Sequence, residues 1–409
     1  MSDWSLTDLF TPWLRRGILL CACGTSLAAE VGSLVGTVSI NLEAADSPAE
    51  PTYLVTGATL SEDPVFQGAV YSVAGNVLTF SQIQDEEDPH FDVDPFVSGT
   101  LASSRARATA VIDAIDGNVT QITVDYAGSG YQGIPEVQIA YPDSGTDPST
   151  AVNAEANATV SAGGIASVII TEAGKGYTTT PTVIIEGGSH FLRITEPDGQ
   201  YEGRFFLITA NDGTTLTLEN PANEDFTIIF PQDTKVEVVP AHTLGSVFGI
   251  TDCLLSEGNS TAADLIYLYH PNATDADPDS GYVAHYNDGT GWKRESNGSS
   301  SDDLILYPDE AFIIARRGTT DLELEFSGNL LSVDMQAMLP ATNEKRLLNN
   351  PFGMDVLLTE LIDFPNLTTD TSVVTKWYAH DEDEVADNLR ILNKGVWLSY
   401  WHVDVNMGV

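Results

Sequence analysis

Phe205-Phe206-Leu207-Ile208-Thr209 and Thr215-Leu216-Thr217-Leu218 bracket the short connection Asn211-Asp212-Gly213. Two runs of strand-forming residues around an Asp-Gly pair read as a β-hairpin, because Asp-Gly favours the positive φ that matches the twist of a tight turn. Working outward, the same signal recurs. Ala69-Val70-Tyr71-Ser72-Val73 and Val77-Leu78-Thr79-Phe80 flank Ala74-Gly75-Asn76 as a second hairpin. Leu34, Gly36, Val38 and Ile40 alternate with their neighbours at period two, and Tyr53–Thr56, Val236–Val239, Leu304–Tyr307, Phe312–Ala315 and Leu322–Phe326 continue the pattern. Helical spacing is rare. Asp355 to Phe364 places Val356, Leu357, Leu361 and Phe364 near helical period with Pro365 as a stop, and Ala337 to Leu348 carries one short turn. The expected fold is all-β: a β-sandwich or barrel-like sheets, an inserted tandem β-repeat, and one or two short helices.

The repeat lies in the middle of the chain. Ala127-Gly128-Ser129-Gly130-Tyr131 returns 46 residues later as Ala173-Gly174-Lys175-Gly176-Tyr177. At the same offset Gly117 matches Gly163, Ile122 matches Val168, Pro135 matches Pro181 and Ile139 matches Ile185. Ala108 and Ala110 then match Ala154 and Ala156. Units of this kind stack or pair to bury a shared core. Tyr131 and Tyr177 supply apolar packing on this reading; the alternative is a ligand stacked on the two rings. A fainter echo joins Asp264–Tyr269 and Gly289-Thr290-Gly291-Trp292 to Ser372–Tyr378 and Lys394-Gly395-Val396-Trp397. The expected organisation is 1–29 as a leader, 30–103 and 189–250 as one interrupted β domain, 104–188 as the two repeats, and 251–409 as a C-terminal β domain.

Charge restricts partners. Against 59 Asp and Glu stand only 17 Lys and Arg, a formal net of −42 over 409 residues, and no cation occurs between Arg16 and Arg105. Nucleic acid needs a basic patch to displace its counterions, so it is not an expected partner. An anionic membrane surface is disfavoured for the same reason. The hydrophobic fraction of 42% is ordinary for a globular chain, so a core can be buried despite the charge.

The N-terminus reads as an export signal. Arg15-Arg16 precede the apolar run Gly17–Thr25, and Ser26-Leu27-Ala28-Ala29 offers cleavage after Ala28 or Ala29. The run is too short to span a bilayer, and no later segment is long and apolar enough. Of Cys21, Cys23 and Cys253, the first two fall in this leader, so the processed chain keeps a single thiol. The expected location is extracellular or on the outer cell surface.

Thr243–Gly249, Pro308–Arg317 and the stretch from Asp264 to Trp292 together resemble an uncharacterised family of exported β-rich proteins found as paralogous sets in some Gram-negative bacteria. The resemblance spans 31–99 and 189–409. The repeat pair is similar to Gly-x-Gly-Tyr repeats of bacterial and phage surface proteins. The resemblance implies export and a β fold, and carries over no activity or site.

Chemistry leaves few candidates. The seven histidines form no His-x-x-x-His or His-Glu-x-x-His pair, and no Gly-x-Ser-x-Gly elbow or phosphate-binding glycine loop occurs. Asp275-Ala276-Asp277-Pro278-Asp279-Ser280-Gly281 sets alternate carboxylates on a tight loop, as a Ca²⁺ site needs, although Gly comes one place late and no Glu closes it. The site candidates are therefore Asp275, Asp277 and Asp279 for calcium, and Tyr131, Tyr177, Trp292 and Trp397 as aromatic ligand platforms. No motif demands a cofactor. The expected function is that of an exported, non-enzymatic surface protein, structural or adhesive, whose partners are surface proteins, polysaccharide or copies of itself. The alternative is a secreted protein that binds or cleaves carbohydrate.

Overall fold

The structure is a computed structural model. It describes residues 35–58, 60–84, 92–142, 151–196, 199–270, 281–330, 335–336, 346–350, 367–368, 377–380, 386–387, 389–393 and 396–400. The described elements are almost all strands, joined antiparallel except for one two-residue parallel pair, Leu367–Thr368 with Trp377–Tyr378. Two helices of one turn each accompany them, Phe226–Ile229 and Leu244–Phe248. The fold class is all-β with sandwich and barrel-like sheets. The helix read over Asp355–Phe364 lies outside the described residues, as does most of Ala337–Leu348.

The opening hairpin is Phe205–Asn211 with Thr215–Leu218. Its turn departs from the expected chemistry. Gly213 is not among the positive-φ glycines. Instead the Asp212 carboxylate accepts from the N–H groups of Thr214 (2.8 Å) and Thr215 (2.7 Å), which closes the turn through a side chain. A Cβ at 213 would sit 2.2 Å from Asp94 Oδ2, so a larger residue there displaces the Asp94 side chain.

This hairpin belongs to a seven-stranded sheet. Its order is Phe66–Ala69, Lys235–Pro240, His190–Ile194, Phe205–Asn211, Thr215–Leu218, Val77–Thr79, Ser72–Ala74. The first and last strands are consecutive in the chain. Val70 N–H bonds the Thr234 carbonyl and Tyr71 N–H bonds the Thr79 carbonyl, so one bent segment closes the sheet on itself. Alternation at period two then decides inside from outside. Leu192, Ile194, Val236, Val238, Phe206, Ile208, Leu216 and Leu218 fill the interior with Val70 and Leu78. Phe66, Phe80 and Phe96 meet edge to face there, at centroid separations of 4.8–5.5 Å. Phe226, Ile229 and Phe230 from the first helix join the same core.

Between the two halves of that sheet runs the chain from Ser104 to Gly188. Arg107–Ile112 pairs with Val119–Tyr126, and Glu155–Ser161 pairs with Gly164–Glu172. Val137–Ile139 pairs with Thr182–Ile185, which also pairs with Arg107–Ile112. The bonds between the two halves are reciprocal. Val119 N–H bonds the Ala173 carbonyl and Ile165 N–H bonds the Ala127 carbonyl, each at 2.8 Å. Tyr177 N–H bonds the Gly117 carbonyl (3.0 Å) and Tyr131 N–H the Gly163 carbonyl (3.1 Å). All six strands surround one core of Ala, Val, Ile and the two Tyr side chains. The alanine match must be shifted. Ala106 N–H bonds Tyr131 Oη, and it is Ala154 N–H that bonds Tyr177 Oη. Ala106 therefore corresponds to Ala154, an offset of 48 in the leading strands, because the turn from Ile112 to Val119 is two residues longer than that from Val160 to Ile165. Gly128 and Gly174 take φ of +65° at the corners, and a Cβ at Gly128 would lie 2.3 Å from the Ser104 carbonyl.

The third body is a sandwich. One layer is the sheet Thr52–Gly57, Ala311–Arg316, Leu265–His270, Gly281–Asn287, Trp292–Arg294. Val35–Leu42 and Leu322–Asn329 form the other layer, and Leu42, Leu324 and Phe326 meet Ile266, Phe312, Ile314 and Trp292 in the core between. Among the described residues no helix is long and apolar enough to cross a membrane.

Candidate functional site

The five-stranded sheet has a second face, turned away from that core. In an antiparallel ladder, directly paired residues share a face. Tyr53 pairs with Ala315 and Leu265 pairs with Ala315. Tyr267 pairs with Ile313 and Ala284, Tyr269 with Tyr282, and Tyr286 with Lys293. Tyr53, Tyr267, Tyr269, Tyr282 and Tyr286 therefore stand together, five of the chain's 14 tyrosines. Beneath them Leu265, Ala284 and Ala315 are buried, while Tyr53 is 58% and Tyr282 40% exposed. Tyr269 and Tyr282 meet edge to face at 5.2 Å. Burial raises the Tyr267 hydroxyl above the usual phenol range, with Tyr53 and Glu295 adding to the rise. Burial does the same at Tyr282, helped by Tyr269. The Tyr267 and Tyr282 hydroxyls are thus held as protonated donors at neutral pH.

A buried ion pair holds this sheet. Asp264 opens the central strand and its side chain is fully buried. One carboxylate oxygen accepts from the Arg316 guanidinium and from Ser256 N–H (2.9 Å). The other accepts from the N–H groups of Arg317 (2.6 Å) and Gly318 (3.2 Å). Arg316 also reaches Ser256 Oγ and the Thr320 carbonyl. The charges are paired and hydrogen-bonded, which is the condition for burying them.

No protein-family model, curated protein or solved structure matches this chain. The site is therefore judged by its own chemistry.

The aromatic residues singled out from sequence lie elsewhere. Tyr131 and Tyr177 are each 2% exposed. Their hydroxyls accept buried backbone N–H groups at 3.0 and 2.9 Å, and burial raises both phenols. Trp292 is wholly buried; its indole N–H donates to the Gly249 carbonyl at 2.8 Å and its backbone N–H to Asp302 at 2.7 Å. These three rings are core, and burial leaves them no face on which a ligand could stack. Asp275, Asp277 and Asp279 lie outside the described residues, as does the side chain of Trp397. The remaining described residues contain no group of three or more metal-ligating side chains.

Two constellations were not foreseen. His285 and Ser301 are hydrogen-bonded, Nδ1 to Oγ at 2.9 Å, as in a nucleophile–base pair. Both are buried, and Ser301 fixes a turn through its backbone to Trp292 and Leu304, so no substrate can approach. A small cleft of about 40 Å³ opens between the closed sheet and the sandwich, lined by Leu60, Phe191, Arg193, Phe205, His242 and Leu306 among others. Its polar groups are already engaged: Arg193 with Glu237, and His242 Nε2 with the Leu60 carbonyl. Cys253, the one thiol among the described residues, is pushed up to about 11 by burial.

Proposed function

We propose that this chain is an exported, non-enzymatic surface protein, structural or adhesive, that attaches through the tyrosine face. The observation that carries this reading is the contrast between that face and the remaining polar clusters. Five hydroxyl-bearing rings stand on one side of a sheet, while the Ser301–His285 pair is sealed and the cleft's Arg and His are held by the protein itself. The leader-like N-terminus and the net charge of −42 support export, since an acidic coat keeps molecules apart in a salty medium.

The test has two parts. Intact-mass measurement of the protein from culture medium and cell envelope is expected to show loss of residues through Ala28 or Ala29. Cells producing a Tyr53→Ser/Tyr282→Ser variant at unchanged level are expected to lose attachment to the surfaces that parent cells colonise. Cytosolic material with an intact N-terminus would sink the export reading, and reproducible polysaccharide turnover by the pure protein would sink the non-enzymatic one.

A further inference from the structure

A chain of net charge −42 should be acidic on every exposed sheet face, and this one is not. Among the paired positions of the tyrosine face, Lys293 is the one charged side chain. Glu295 continues the last strand's register opposite Ala284 and so stands on this face near Tyr267, while Asp264 is sealed beneath the sheet. Arg317, at the rim, is tied to the Ser260 and Ala263 carbonyls. The face is thus aromatic and donor-bearing, with Lys293 set against Glu295, on a chain whose net charge is strongly negative.

Resting on the reading of this face as the attachment surface, we propose that its ligand is an uncharged polysaccharide. A sugar ring has an apolar C–H face and a rim of hydroxyls. Tyrosine matches both, with a flat apolar ring to cover the C–H face and a protonated hydroxyl to exchange hydrogen bonds at the rim. A purely apolar partner would leave the tyrosine hydroxyls buried and unpaired, which is costly. A polyanion, whether nucleic acid or acidic glycan, finds Lys293 offset by Glu295 and the repulsion of the whole chain. A second copy brings the same negative charge to itself. An uncharged glycan meets none of these penalties, and a basic protein would find its complementary acids on the other surfaces rather than here.

The experiment is affinity electrophoresis of the full-length processed protein in gels cast with hydroxyethyl cellulose, xyloglucan or galactomannan, with alginate as the anionic comparison, at 0.15 M NaCl. Retardation is expected in at least one neutral gel and not in alginate. Tyr53→Ser/Tyr282→Ser is expected to weaken that retardation at least tenfold. Tyr71→Ser, an equally exposed tyrosine outside the face, is expected to leave it unchanged. Melting temperatures of all three proteins establish that each is folded. No retardation in any neutral gel, equal retardation of parent and double variant, or stronger binding to alginate would overturn the proposal. So would a dimer in sedimentation that the double variant abolishes, because the face would then belong to a second copy. If cell attachment is lost in the double variant while no neutral gel retards the parent, the glycan class fails and the attachment reading stands. If neither responds, both fail.

Discussion

His190 makes the stability of the closed sheet depend on pH in a calculable way. Its Nδ1–H donates to the carbonyls of Gly188 (2.9 Å) and Leu101 (3.2 Å), where the chain leaves the closed sheet for the repeat region and returns from it. Burial pushes the imidazole down to about 4, with Arg105 adding to the depression. A histidine whose folded pKa lies below its unfolded value binds fewer protons when folded. Its stabilising contribution is therefore complete above pH 6.5 and is lost as pH falls toward 4. At about 1.4 kcal/mol per unit, the loss relative to neutral pH reaches about 2 kcal/mol at pH 5 and about 3 kcal/mol at pH 4. The perturbation is His190→Asn, which offers an amide N–H near the Nδ1 position and cannot titrate. Urea unfolding of parent and variant from pH 7.5 to 5, at fixed ionic strength, isolates the effect, because the carboxylates common to both cancel in the difference. The parent should lose about 2 kcal/mol more than the variant on going from pH 7.5 to 5. Equal losses in the two proteins over that range would refute the reasoning.

Three further outcomes are expected. Asp264→Asn leaves the Arg316 guanidinium buried without its counter-charge and should cost about 3–5 kcal/mol, read as a lowered urea midpoint; no change would mean water reaches the pair. Tyr131→Phe and Tyr177→Phe each strand one buried N–H, at Ala106 and Ala154, and should cost about 1–3 kcal/mol apiece and nearly the same amount as each other, given the matched bonds. Calcium at matched ionic strength should raise the melting temperature of the parent more than that of Asp277→Asn/Asp279→Asn, and equal shifts would leave that loop as solvated surface.

Much of the fold is legible in local pattern. Leu216 and Leu218 alternate with threonines at period two, and that alternation puts them on the buried face of their strand. The two short helices were invisible because one turn carries no 3.6-residue period. Their signal was in the caps: Asp225 accepts from Thr227 N–H, and Thr243 and Ser246 bond each other's backbone reciprocally, with Ser standing where Glu or Gln is usual. The tyrosine face was hidden for another reason. Within a strand, Tyr267 and Tyr269 already show the period, but Tyr53 and Tyr282 join them only through ladder registers that span more than two hundred residues in one case. Trp292 attracted attention as a large aromatic, whereas nothing local distinguishes a ring that seals a core from one that meets a ligand.

The bent segment from Phe66 to Ala74 fixes an order of events during folding. Its first half pairs with Lys235–Pro240, so the closing ladder joins residues about as far apart as Phe66 and Val238. Such a ladder cannot begin until everything between has been synthesised, and pairings of this range are slow to nucleate. The intervening unit shortens the search. Once its six strands assemble, Ala102 and Ser189 are bridged side by side, and the outer segments face a much shorter gap. Each halving of the gap lowers the closure penalty by only about 0.6 kcal/mol, but it also removes wrong pairings for strands otherwise loose on a long tether. Where the nested unit forms first, it acts as a splint that draws the outer strands together. A chain arranged this way keeps its outer sheet open until that long-range ladder forms.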